Sequence, residues 1–187
     1  MNFLTLILLG IFFFCLGTGA WLIARDKKQV LPVSQNPQIV IKKKERTLEV
    51  FDNEKLLKTY KTALGFEPAG DKFKRNEGRT PEGEYFVVVK NPKSKFYRSL
   101  GLNYPNNKDA ERGLTEKLIS RAEYDAILKA NEEKRLPPQN TALGSEIYIH
   151  GGGTLWDWTW GCVALEDKDM KELFDNIPLG TRITVKP

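Results

Sequence analysis

The amino-acid sequence predicts a mainly β domain, either a β-sandwich or a partly closed barrel, with a few appended α-helices and one N-terminal transmembrane helix. Three observations support this prediction. Short segments alternate apolar and polar residues, two longer segments have helical apolar spacing, and residues 1–24 carry no charged side chain. At 187 residues, the chain has room for one domain and an appendage. We therefore expect an N-terminal segment over 1–24, a linker over 25–37 and a domain over 38–187.

The apolar run from Phe3 to Ala24 is long enough to cross a bilayer, since a helix of this length spans roughly 33 Å at about 1.5 Å per residue. Two interpretations compete, a retained signal anchor and a signal peptide cleaved after Ala20. Because the apolar run continues through Trp21, past that cleavage site, we favour the anchor. Basic residues follow the segment and none precedes it, so the positive-inside rule alone would place the domain in the cytoplasm.

Alternation and turn residues locate the elements of the predicted domain. Strands are predicted, in chain order, over 38–43, 47–64 as a hairpin, 84–91, 97–105, 146–151 and 178–187. Helices are predicted over 120–136 and 167–177, where apolar residues recur at helical spacing. A Gly- and Pro-rich loop over 65–83 separates the hairpin from the strand that follows it.

The composition limits the partners and cofactors that the domain can use. A net charge of +5 favours anionic partners such as cell-wall polymers or lipid headgroups, and no nucleic-acid-binding motif accompanies it. Only one cysteine, Cys162, lies outside the apolar segment, so no disulfide framework is expected. The single histidine, His150, and this cysteine are too few ligands for a metal site. We therefore expect no metal and no nucleic acid.

Both residues lie in one short stretch, HGGGTLWDWTWGCVAL, over residues 150–165. Glycines after His150 and Gly161 before Cys162 allow close chain approach and a sharp turn. A cysteine beside an imidazole becomes a nucleophile, and backbone N–H groups on such a turn can stabilise an oxyanion. From the residues alone, however, a structural histidine and a buried cysteine remain the stronger interpretation.

Three motifs change that balance: GRTPEGEYFVV at 78–88, IYIHGGG at 147–153 and WTWGCVAL at 158–165. In this order and spacing they resemble the L,D-transpeptidase catalytic domain, the YkuD family, over about residues 38–186. The resemblance implies a β-rich YkuD-like fold. It also implies that a cysteine attacks a diaminopimelate-containing stem peptide of peptidoglycan, and that the resulting thioester passes to an amine without any cofactor.

The resemblance also implies roles for individual residues. Cys162 is the expected nucleophile and His150 the base. The backbone N–H groups of Gly161 and Cys162 are the expected oxyanion donors, and the Gly151 carbonyl is expected to orient the imidazole. Candidates for substrate binding are Arg79, Trp158, Thr159 and Trp160, although shaping the turn at 79–83 is the preferred role for the segment that contains Arg79.

The cysteine motif departs from the common family pattern of Ser-His-Gly-Cys followed by an apolar residue and Arg. Trp160 stands in place of the second histidine, and Ala164 in place of the arginine. Recognition of a substrate carboxylate is therefore absent or depends on another cation, for which charge alone suggests Arg79, Lys72, Lys74 and Arg75. The variant is similar to a branch that includes a murein endopeptidase releasing wall-linked lipoprotein.

We therefore expect a peptidoglycan L,D-transpeptidase, with a murein carboxypeptidase or endopeptidase of the same Cys-His chemistry as the alternative. A non-catalytic wall-binding module is the alternative of another class. A depressed pKa of the Cys162 thiol is expected for the enzyme and not for the module. Because peptidoglycan lies outside the cytoplasmic membrane, we expect a single-pass protein of the bacterial inner membrane with its catalytic domain in the periplasm, against the positive-inside rule.

Overall fold

The computed structural model describes residues 30–187, which form eight strands and three helices. In chain order these are β1 (Pro37–Lys42), β2 (Thr47–Asp52), β3 (Lys55–Lys61), β4 (Gly83–Ser94), β5 (Tyr97–Leu102), α1 (Asn107–Thr115), α2 (Arg121–Glu132), β6 (Tyr148–His150), β7 (Val163–Ala164), α3 (Asp167–Asn176) and β8 (Arg182–Lys186).

All eight strands belong to one sheet, in the order β3-β2-β1-β8-β4-β5-β6-β7. Neighbouring strands are antiparallel except for the pairs β1/β8 and β6/β7, which are parallel. The two ends of the sheet meet beyond β3, where Ala63 bridges Ala164 and Gly65 bridges Thr159. We call this contact the seam. It brings the chain after β3 against the stretch that contains the candidate nucleophile.

Alternating burial along the strands builds the main core. In β1, Ile39 and Ile41 are buried, and in the neighbouring β8 the same holds for Ile183 and Val185. Such period-two burial is what a strand produces when one face packs inward. A smaller core between α1 and α2 contains Ala110, Ile119, Ile127 and Leu143.

The predicted fold class combined a β domain with a transmembrane helix, and because of that helix the prediction was wrong. No helix within residues 30–187 is long and apolar enough to cross a membrane. The apolar run that prompted the prediction, residues 1–24, lies outside the described residues. The described residues are mainly β sheet with three helices, and their strands form one continuous sheet rather than the two stacked sheets of a sandwich.

Leu31, in the described part of the segment predicted as a linker, packs on the domain, whereas Val30 and Val33 on either side of it are exposed. Leu31 is buried in the main core, and its backbone N–H donates to Glu172 Oε1 at 2.8 Å. Glu172 also accepts from the amine of Lys58 and the hydroxyl of Tyr60. The carboxylate therefore connects this segment to α3 and to β3.

Candidate active site

His150 and Cys162 lie on the same face of the parallel pair β6/β7. The register pairs Ile149 with Val163 and His150 with Ala164, so Cys162 immediately precedes β7. Ile149 and Val163 point into the main core. Because side chains alternate along a strand, His150 and Cys162 point to the opposite face. The pairing of β6 with β7 thus brings the two residues together.

Both side chains line one cavity of about 800 Å³. Its wall also contains Trp158, Thr159 and Trp160, and a set of charged residues that comprises Lys72, Arg75, Lys93, Lys95 and Glu146. Four cations against one carboxylate make the cavity attractive to an anionic ligand. Within residues 30–187 no cluster of three or more His, Cys, Asp or Glu side chains could hold a metal ion.

The His150 imidazole is held by its neighbours on both sides. Its Nδ1 lies 2.6 Å from the Gly151 carbonyl oxygen, which makes Nδ1 the protonated nitrogen in the neutral ring. The Phe96 ring stacks on it with centroids 4.8 Å apart, and the Trp158 ring stands edge-on at 5.5 Å. Burial lowers the pKa of His150, so the neutral form, with Nε2 as a base, is favoured near neutral pH.

The Cys162 thiol donates a hydrogen bond to the Glu146 carbonyl oxygen, with Sγ 3.2 Å away, and not to the imidazole. Burial raises the pKa of the thiol to about 11, and the Glu146 carboxylate acts in the same direction. A backbone hydrogen bond from Tyr148 and the charge of Lys72 act in the opposite direction. The depressed pKa expected for a preformed thiolate is therefore not found, and the resting pair is a neutral thiol beside a neutral imidazole.

Gly161 makes the turn that presents Cys162. Its φ of +120° is one that only glycine adopts easily, and a Cβ there would lie 2.5 Å from the Arg79 carbonyl oxygen. The Gly161 N–H donates to Thr159 Oγ1 at 3.1 Å, and this hydroxyl donates in turn to the Cys162 carbonyl at 2.8 Å. In this arrangement the first expected oxyanion donor is already bonded, so it must leave Thr159 to serve a substrate.

The predicted substrate-binding residues separate into two groups. Trp158, Thr159 and Trp160 line the cavity, whereas Arg79 does not. Trp158 Nε1 donates to the Gly153 carbonyl at 3.2 Å, which fixes the indole beside His150. Trp160 is 66% exposed and rests edge-on against Phe66, so its indole is available at the cavity mouth. The backbone of Arg79 supports Gly161 from behind, which agrees with the structural role preferred for its turn.

The missing family arginine has no room at its usual position. Ala164 is fully buried and is tied to Ala63 by two backbone hydrogen bonds of 2.8 and 2.9 Å. Of the cations suggested by charge, Lys72 and Arg75 line the cavity and Lys74 does not. Positive charge therefore reaches the site from the loop that precedes β4 and, through Lys93 and Lys95, from the end of β4 and the turn after it, rather than from the strand that follows the nucleophile.

Sequence reasoning missed three residues that shape the site. Phe96 covers the imidazole from the turn between β4 and β5, and only its exposed apolar character within a polar turn could have indicated it. Glu146 and Tyr148 line the cavity together with His150. Since they precede the histidine by four and two positions, strand alternation could have placed all three on one face.

A family model described as the L,D-transpeptidase catalytic domain, YkuD, matches residues 36–185. No curated protein matches the chain. Among solved structures, the helical cell shape determining protein Pgp2 from Campylobacter jejuni is 20% identical with a TM-score of 0.52, over 86% of this chain and 51% of that one.

Bd1075 from Bdellovibrio bacteriovorus is 23% identical with a TM-score of 0.52, over 84% of this chain and 52% of that one. An L,D-transpeptidase from Mycobacterium smegmatis is 12% identical with a TM-score of 0.48, over 81% and 59%. This chain therefore spans between half and three fifths of the length of these proteins. The likeness to Pgp2 and Bd1075 concerns the fold.

Proposed function

The chain belongs to the family of L,D-transpeptidase catalytic domains, as its sequence motifs predicted, and on that premise we propose that it is a peptidoglycan L,D-transpeptidase acting through a Cys162 thioester. The donor is a stem peptide that contains diaminopimelate, and the acceptor is an amine. We further propose that the domain acts outside the cytoplasmic membrane, where this substrate lies.

One observation carries the proposal: Cys162 and His150 share a face of the parallel pair β6/β7 and line the same cavity. A purely structural cysteine would point into the main core, as its neighbour Val163 does. The excess of positive charge in the cavity wall suits a stem peptide, which carries carboxylates.

The resting protonation states decide how the chemistry begins. Because the pKa of the thiol is raised and that of the imidazole is lowered, a proton must leave Cys162 during the attack. His150 Nε2 accepts this proton as Sγ bonds to the peptide carbonyl carbon. The C–N bond then breaks, the leaving amine takes the proton from His150, and the acyl group remains on Cys162 as a thioester.

The second half-reaction mirrors the first. An acceptor amine attacks the thioester carbon and gives a proton to His150, the C–S bond breaks, and the thiolate recovers the proton. If water takes the place of the amine, the same thioester yields a carboxypeptidase or endopeptidase. The outcome depends on how well the occupied cavity excludes water.

To test this, purified muropeptides are incubated with the full chain and with its Cys162→Ala variant, and the products are identified by mass spectrometry. Cross-linked dimers that form only with Cys162 would support the transpeptidase. Shortened stems or dissolved cross-links that require Cys162 would establish the hydrolase in its place. Muropeptide binding without conversion and without an acyl adduct on Cys162 would contradict catalysis and support a wall-binding module.

A further inference from the structure

We infer that Lys72 is a positioning residue of this site, whose ammonium group stabilises the negative charge on Cys162 Sγ when the thiol loses its proton. The catalytic meaning of this inference rests on the proposed function. The electrostatic effect itself can be measured on the thiol without any substrate.

Lys72 is buried yet contributes to the cavity wall. The residue is 2% exposed and lines the same cavity as Cys162. Its Nζ donates to the Lys74 carbonyl oxygen at 2.9 Å. Among residues 30–187 it has no further hydrogen-bond acceptor and no carboxylate within ion-pair distance. An ammonium group with unused donors at a cavity wall is available to a charge that develops inside the cavity.

The backbone of Lys72 is fixed from two directions. Its N–H donates to Asp71 Oδ1 at 2.8 Å, and its carbonyl accepts from Arg112 at 2.6 Å. Asp71 and Arg112 are themselves ion-paired at 2.9 Å. The side chain also lies against Gly144, where an added Cβ would come within 3.2 Å of Lys72 Cε. These contacts set where the ammonium group lies before any substrate arrives.

Of the four cations that line the cavity with Cys162, Arg75, Lys93 and Lys95 are exposed and only Lys72 is buried. Glu146 disfavours the thiolate, and His150 is held neutral because burial lowers its pKa. The charge of Lys72 is the cationic influence that lowers the pKa of Cys162, while burial lowers the pKa of Lys72 itself. Because the Lys72 side chain is shielded from bulk water, such a pair interacts more strongly than two exposed charges would.

Other charged groups face Lys72 from the elements around it. Glu77 and Asp109 favour its charged form, whereas Arg75 disfavours it. None of the three forms a hydrogen bond with the Lys72 amine. They therefore modulate its charge without withdrawing it from the cavity.

The experiment measures the rate of Cys162 alkylation by iodoacetamide between pH 6 and 11 in the full chain. Mass spectrometry of the peptide that contains Cys162 separates it from Cys15. In Lys72→Met the thiolate fraction well below the midpoint of the profile should fall about tenfold. The rate at pH 8 should therefore fall about threefold, because the smaller thiolate fraction is partly offset by a more nucleophilic sulfur.

Three further variants make the result specific. Lys72→Arg retains a cation and should keep close to the wild-type rate at pH 8. Lys74→Met removes a charge from the same loop, outside the cavity wall, and should not change this rate. Glu146→Gln should raise the rate, since the Glu146 carboxylate opposes the thiolate. If Lys72→Met fails to fold, Lys72→Gln, which can keep the hydrogen bond to the Lys74 carbonyl, replaces it.

A folded Lys72→Met or Lys72→Gln variant whose alkylation profile matches the wild type would overturn the inference. The same holds if Lys74→Met lowers the rate at pH 8 as much as Lys72→Met does. Muropeptide conversion is measured separately: conversion with an unmoved profile refutes only the inference, and a moved profile without conversion refutes only the proposed function.

Discussion

Lys43 and Lys72 are equally buried, each 2% exposed, but their ammonium groups have different surroundings. Lys43 follows β1 and donates to the carbonyls of Gly70 and Thr80 at 2.5 and 2.9 Å and to Glu82 Oε1 at 2.8 Å. All three of its donors are used, and a carboxylate balances its charge. Lys72 donates to one carbonyl.

The difference shows how the same residue type can serve stability in one place and reactivity in another. A buried lysine with every donor satisfied holds a turn, here the one that begins at Arg79. A buried lysine with unused donors at a cavity wall keeps a positive charge that can act on groups inside the cavity. Asp71 Oδ1 accepts from both regions, taking the N–H groups of Lys72 and of Glu82, so the stable turn also supports the reactive loop.

The largest expected effect concerns the satisfied lysine. Lys43→Met should lower the free energy of unfolding by about 3–5 kcal/mol, because it leaves a partly buried carboxylate and two carbonyls without their partner. Urea unfolding followed by circular dichroism measures this change. The matched control is Lys42→Met, whose more exposed ion pair with Glu49 should contribute about 1 kcal/mol or less. Equal losses in the two variants would remove the contrast on which the comparison depends.

Asp109 adds a pH dependence to the network that holds Lys72. Burial raises the pKa of this carboxyl from 3.8 to about 6. Between those values the folded state keeps a proton that the unfolded state has released, so its contribution to stability is complete below about pH 4 and is lost as pH rises through 6. The loss amounts to about 3 kcal/mol.

The Asp109→Asn variant isolates this contribution. The unfolding free energy of Asp109→Asn, relative to that of the wild type, should rise by about 2–2.5 kcal/mol between pH 4 and pH 7. Urea titrations at four pH values give the difference, in which the other titrating groups largely cancel. A difference that stays constant with pH would mean that the carboxyl has an ordinary pKa in the folded state.

Gly161→Ala tests the contact between the stable turn and the reactive one. The added Cβ meets both an unfavourable φ and the Arg79 carbonyl oxygen, so we expect a loss of about 2–3 kcal/mol. Gly180→Ala is the control, because its φ is +83° but no atom lies within 4 Å of the added Cβ. Thermal unfolding of both variants separates backbone strain, about 1–2 kcal/mol, from the close approach. Equal losses of unfolding free energy in the two variants would show that the Arg79 carbonyl moves aside at little cost.

The smallest effect on stability is expected at Lys72. Lys72→Met should change the unfolding free energy by less than about 1 kcal/mol, since a partly satisfied buried charge gives way to an apolar chain of similar size. The same urea titration used for Lys43→Met provides the number. A loss as large as that for Lys43→Met would make Lys72 a second structural lysine, whatever its alkylation profile shows.

The sequence predicted the long strands because their side chains alternate, as in β1, and it predicted α2 from helical spacing. It missed α1, whose buried residues include Asp109 and Gly113 and therefore give no apolar period. A capping box between Asn106 and Asp109 was the available signal. With only two residues, β7 was too short for any pattern to indicate.

For the site, the motifs identified His150 and Cys162, and the structure places both in one cavity, but their roles stay predictions. Charge alone could not rank the cations around them. Lys72 reaches the cavity and Arg79 does not. The contacts that hold Lys72 come from Asp71, Arg112 and Gly144, which lie far apart from one another in sequence. The raised pKa of the thiol was equally hidden, since it arises from burial that only the assembled fold creates.

The central position of β8 has a consequence for biosynthesis. This strand lies between β1 and β4, yet the ribosome makes it after every other described element. Until residues 182–186 have emerged, the β1–β3 strands and the β4–β7 strands have no ladder between them, and the closing contact has one of the longest loops in the fold. Contacts of such high order fold slowly. The nascent chain therefore carries a complete cysteine turn before it has the sheet that gives the thiol its environment.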